Sequence, residues 1–173
     1  MLGQQRNRAR GFSLLEVLVA LVVLSIGLMG IASMQVLGLQ FNQQAMTTTR
    51  AVELAADMAD RIRANANATA NAAVPGQAYQ VEFGANPVPA TTCADLPGNN
   101  LAGIAACNNV ALAANDIWQW KNSLTAATGS GLAEGDGAIT HTYDNARRTS
   151  TYIIDVRWSE RGEQAHYVLE LRL

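Results

Sequence analysis

The sequence predicts an α+β fold in which one long N-terminal helix is laid against a small antiparallel sheet. Two patterns carry that reading: no proline occurs before Pro75 while apolar residues recur at helical spacing, and the last forty residues alternate polar and apolar side chains in three runs. At 173 residues, 49% hydrophobic and 15% charged, the chain has room for one domain plus one special segment.

The special segment comes first. Residues 17–34 carry no charge, and their only polar side chains are Ser25 and Ser33. As a helix the stretch covers roughly 27 Å at about 1.5 Å per residue, close to a hydrocarbon core of about 30 Å. Arg6, Arg8 and Arg10 lie upstream, which places the N-terminus in the cytoplasm and everything after residue 40 across the membrane. An ordinary secretory signal would show a small-residue cleavage site after a shorter apolar core, and none interrupts this helix. A buried core helix is the alternative; the long uncharged run with its basic flank favours the membrane. At the head of the run stands one carboxylate, Glu16. An unpaired charge in a membrane helix costs on the order of 2.5 to 3.5 kcal/mol, so Glu16 calls for a cationic partner, and the segment itself supplies none. Snorkelling toward Arg10 is the simplest local solution.

After Leu39 the pattern turns amphipathic, with Ala45, Val52, Ala55, Ala59 and Ile62 expected on one stripe and Asp57, Asp60, Arg61 and Arg63 on a solvated face, Asp57 paired to Arg61. The helix is expected to run from about Phe12 to about Asn67 and to fray into the low-complexity residues 64–73. A loop-rich region over residues 77–115 follows, then a short helix expected at residues 116–127, capped by Asn115 or Asp116, with Ile117, Trp120 and Leu124 facing inward. Residues 129–137 are glycine-rich but lack the lysine of a phosphate loop and the acids of a calcium loop, which leaves a flexible turn. In the three strands, Ile139, His141 and Tyr143 share one parity, as do Tyr152, Ile154, Val156 and Trp158, and then Tyr167, Leu169, Leu171 and Leu173. Residues 159–164, with Gly162, make the last hairpin.

Composition removes several function classes. The formal net charge is −2, and setting aside the three leading arginines leaves 9 basic against 14 acidic residues, a body that gives no reason to expect nucleic acid as partner. Cys93 and Cys107 are too few for a four-ligand zinc site. In an exported body they would close a loop as a disulfide; in the cytosol they would be two buried thiols. His141 and His166 fall in strands, and no nucleophile-base pair, metal cluster or cofactor motif stands out, so no cofactor and no enzymatic activity are expected. Arg147 and Arg148 read as a solvated loop.

The run Arg10-Gly11-Phe12-Ser13-Leu14-Leu15-Glu16-Val17-Leu18 resembles the prepilin signature of type IV pilins and type II secretion pseudopilins. The resemblance implies a pilin-like fold, cleavage between Gly11 and Phe12 by a prepilin peptidase, methylation of the new N-terminus at Phe12, and pairing of Glu16 with the N-terminal amine of a neighbouring subunit during assembly. It divides the chain into a cytoplasmic leader (1–11), a transmembrane and filament-core helix (12–39), its amphipathic continuation (40–68) and a periplasmic head (69–173). The words Leu54-Ala55-Ala56-Asp57-Met58-Ala59-Asp60-Arg61-Ile62-Arg63-Ala64-Asn65 and Asp116-Ile117-Trp118-Gln119-Trp120-Lys121, with Val156-Arg157-Trp158, resemble the PilV family of minor pilins, which modify the type IV pilus. That implies an inner-membrane, single-pass protein whose partners are other minor and major pilins. A secretion pseudopilin and a membrane-anchored periplasmic binding protein are the rival expectations.

Overall fold

A computed structural model describes residues 13–65, 68, 77–89, 93, 107–125 and 131–173. Helix α1 spans Leu14–Ala64. A 3₁₀ turn at Gln77–Tyr79 precedes helix α2 at Asn109–Leu124, and strands β1 (Asp136–Asp144), β2 (Thr149–Glu160) and β3 (Glu163–Arg172) complete the order. The chain divides into two compact units at Gln43/Gln44, so α1 contributes residues 14–43 to the first and 44–64 to the second.

In the second unit the strands form an antiparallel sheet in the order β1-β2-β3. Register places Ile139 opposite Ile154, and Ile154 opposite Leu169. Because side chains alternate across a strand, this row and its even-spaced neighbours Tyr152, Val156, Trp158 and Leu171 all face one way, and all of these but Leu169 are buried. The predicted parity of the strands is what the sheet shows. On the same core lies the second half of α1, through Ala51, Leu54, Ala55, Met58, Ala59 and Ile62. This corrects the expected stripe: Ala45 and Val52 are exposed. Ala55, Ala59 and Ile62 of that stripe are buried as expected, and Leu54 and Met58 complete the face, burying more apolar area than Ala45 and Val52 offer.

Helix α2 begins seven residues earlier than Asp116. Asn108 takes the cap, its side-chain oxygen accepting the Ala111 amide at 2.8 Å. Asn115 and Asp116, chosen as caps for their residue type, instead lie buried inside the helix. Ile117, Trp120 and Leu124 point into the core as their spacing requires, and the Trp120 indole donates to the Leu54 carbonyl at 2.9 Å, fastening α2 to α1. The glycines read as a flexible turn have a packing reason at their C-terminal end. A Cβ on Gly137 would run into the Trp120 and Leu124 side chains, and one on Gly135 into the Leu124 carbonyl; the backbone approaches α2 too closely for any side chain.

Candidate functional site

The expected cut and methylation positions, Gly11 and Phe12, lie outside the described residues. The first described residue, Ser13, starts the helix. Its carbonyl accepts the Glu16 and Val17 amides at 3.0 and 3.3 Å, and its hydroxyl accepts the Leu15 amide at 3.3 Å. These are the bonds of an N-cap. Glu16 therefore sits in the first turn of α1, where the positive end of the helix dipole favours a carboxylate. No ion pair joins it to any described residue.

Beyond Glu16 the helix presents an apolar surface on every side. Leu18, Leu21, Val23, Ile26 and Met29 are all more than half exposed, and α1 is long and apolar enough, by length and composition, to cross a membrane. Its two hydroxyls need no outside partner: Ser25 donates to the Val22 carbonyl and Ser33 to the Gly30 carbonyl, each at 2.8 Å. Polar groups satisfied within the helix suit a surface that is covered by hydrocarbon or by other helices.

The second unit carries two charged constellations, of which sequence reasoning anticipated only the Asp57–Arg61 pair. In the first, Arg61 bonds Asp57 at 2.9 Å and also reaches Asp116 at 3.3 Å and Gln119 at 3.0 Å on α2. The residue read as part of a solvated face is a bridge between helices. Asp116 in turn accepts the Tyr79 hydroxyl at 2.8 Å, and Asn65 donates to Tyr79 at 3.0 Å and to the Asn109 carbonyl at 2.8 Å. Burial, with the Asp116 carboxylate beside it, holds the Tyr79 hydroxyl neutral far above the ordinary phenol range. In the second constellation Lys121, only 4% exposed, gives its ammonium to Asp136 and to the carbonyls of Gly137 at 2.7 Å and Glu82 at 3.2 Å. Burial alone would raise the Asp136 pKa; the Lys121 bond and the amides of Gly84 and Gly137 outweigh it and hold the carboxyl below the usual carboxylate range. The local signal for the first cluster was the spacing of Asp57 and Arg61 on a face that otherwise looked solvated; for the second there was none.

Cys93 and Cys107 are joined, with 5.9 Å between their Cα atoms. His141 lies against the Tyr152 ring at 4.7 Å, and burial lowers its pKa; His166 is exposed on β3. Among the described residues no three His, Cys, Asp or Glu side chains gather as a metal site. The structure thus sets Glu16 and the disulfide in separate units, and the feature that most marks this chain is the charged first turn of an uncovered apolar helix.

Residues 6–32 match the family model of the prokaryotic N-terminal methylation motif, a stretch that takes in Gly11, Phe12 and Glu16. No curated protein and no solved structure matches the chain. With that match laid over the start of α1, the chain carries a prokaryotic N-terminal methylation motif at the head of its uncovered apolar helix.

Proposed function

We propose that the chain is a minor type IV pilin of the PilV type. It enters the inner membrane with Arg6, Arg8 and Arg10 in the cytoplasm, is cut by a prepilin peptidase between Gly11 and Phe12, is methylated on the Phe12 amine, and then joins other minor and major pilins to prime or cap a pilus. Its role is structural, with no cofactor. The observation that carries this reading is Glu16, a lone carboxylate in the first turn of a helix whose next 18 residues are uncharged. Cleavage creates a new cation, the amine of Phe12, at the same depth in the membrane. Pairing with that amine on a neighbouring subunit offsets a cost on the order of 2.5 to 3.5 kcal/mol, which makes helix gathering depend on processing.

Two further observations support the minor-pilin version. A disulfide suits an oxidising periplasm, and it lies before the sheet instead of near the C-terminus, unlike the arrangement common in major pilins. The PilV-like words at residues 54–65 and 116–121 meet in space through Arg61, Asp116 and Gln119, so the resemblance falls on a junction of the fold. A type II secretion pseudopilin shares the N-terminal motif and is the second reading.

Deleting the gene and restoring it from a plasmid, with sheared surface pilin as readout, separates the two. A fall of about tenfold that the wild-type gene reverses is expected. Restoring instead with Glu16→Ala is expected to leave surface pilin at the deletion level while the membrane still contains the variant chain. Unchanged surface pilin on deletion, with a loss of secreted enzymes, would transfer the protein to the secretion apparatus.

A further inference from the structure

We propose that the Cys93–Cys107 disulfide is a redox latch on the junction between the end of α1 and the start of α2. Cys107 immediately precedes Asn108, the cap of α2. The first turn of α2 is thinly packed: Val110 is 42% exposed, and the first buried side chain in the helix is Ala113. The Asn109 carbonyl in this turn accepts a hydrogen bond from Asn65 at 2.8 Å, and the disulfide holds the chain two residues before it. Asn65 is the residue that closes α1, its amide donating to the Arg61 carbonyl at 3.1 Å, and it holds the Tyr79 hydroxyl that also binds Asp116. A covalent bond just before α2 is therefore two residues from a chain of hydrogen bonds that ends on the last turn of α1.

The second half of α2 has independent anchors in the Trp120 bond to Leu54 and the Lys121 cluster. Opening the disulfide should consequently loosen one end of the junction and leave the sheet in place, a local event of the kind proteins undergo in cooperative pieces. Chemically, a dithiol reductant delivers two electrons and two protons, the S–S bond becomes two thiols, and the reductant closes to its own disulfide. In the forward direction a disulfide-bearing oxidase of the export compartment takes the same electrons. On the export reading, the junction closes only after the second unit has crossed the membrane; the latch itself stands on the bond and its neighbours, and its test is separate from pilus assembly.

The test uses the full-length chain in detergent micelles and trypsin at limiting concentration, with fragments assigned by mass. In the oxidised chain, cleavage after Arg61 and Arg63 is expected to be slow. Dithiothreitol should raise it at least tenfold while cleavage after Arg50 in α1 and Arg161 in the β2–β3 turn changes less than twofold. Asn65→Ala, which cuts the hydrogen-bonded half of the link, should reproduce the rise in the oxidised chain. Equal acceleration at all four sites would mean global destabilisation and would overturn the proposal, as would no acceleration at Arg61 and Arg63 on reduction.

Discussion

A lysine with 4% of its side chain exposed is tolerated at position 121 because each of its three ammonium protons meets an oxygen, on Asp136, Gly137 and Glu82. Nothing local in the sequence marks it: the Lys121 partners are 15, 16 and 39 residues away. Tyr79 is the same case, its partners lying 14 and 37 residues off. The place of Glu16 in the first turn of α1 and the Cys93–Cys107 bond could be read locally, from an acid at the head of an uncharged run and two thiols in a short stretch. Removing one member of a buried ion pair costs roughly 3 to 5 kcal/mol, and since Asp136 keeps a third of its side chain exposed, Lys121→Met should cost about 3 kcal/mol in urea unfolding. The pH dependence has a definite sign. Asp136 binds its proton less readily folded than unfolded, so its contribution is present above the ordinary carboxylate pKa of about 3.9 and is lost as pH falls through that value toward the lower folded one. Asp136→Asn should flatten the decline in stability between pH 5.5 and pH 3; an unchanged slope would remove Asp136 from the account.

At the scale of elements, periodicity located the three described strands and the inner face of α2, because those patterns report directly on what is buried. It failed where two answers look alike along the chain. Asn108, Asn115 and Asp116 are all acceptable caps by type, and the tie is broken by Tyr79 and Arg61, which give Asp116 partners inside the helix. On α1 the expected stripe and the buried face share Ala55, Ala59 and Ile62 and differ at the edge, where Leu54 and Met58 are buried in place of Ala45 and Val52. The β2–β3 hairpin shows a further limit. Both central residues, Arg161 at φ 54 and Gly162 at φ 83, lie in the left-handed region, the requirement of a type I′ turn. Glycine meets it freely and arginine under strain. Gly162→Ala should therefore lower stability by about 1 kcal/mol, and Arg161→Asn, which tolerates this backbone better, should raise it by a few tenths. Thermal unfolding reads both, about 2 to 4 °C per kcal/mol for a chain of this size. A stabilising Gly162→Ala would contradict the turn assignment.

For the molecule as a whole, the core of the second unit begins, among the described residues, at Ala51, while the first unit buries none of its described side chains against protein. The hydrophobic effect thus acts on the two in different ways. In residues 44–173 it is satisfied internally by α1, α2 and the sheet, with the disulfide adding to stability by restricting the unfolded chain. In residues 14–43 the same driving force is left outstanding along the helix, to be met by lipid or by other helices. A fragment beginning at Gln44 should accordingly be soluble without detergent, monomeric in sedimentation and cooperative in urea unfolding, since it retains every buried residue of the core cluster. The full chain, in contrast, should partition into membranes and leave them only with detergent. If the fragment aggregated or unfolded gradually, residues 14–43 would have to contribute to the fold of the second unit, and the exposed apolar helix could no longer be regarded as a surface reserved for membrane and assembly.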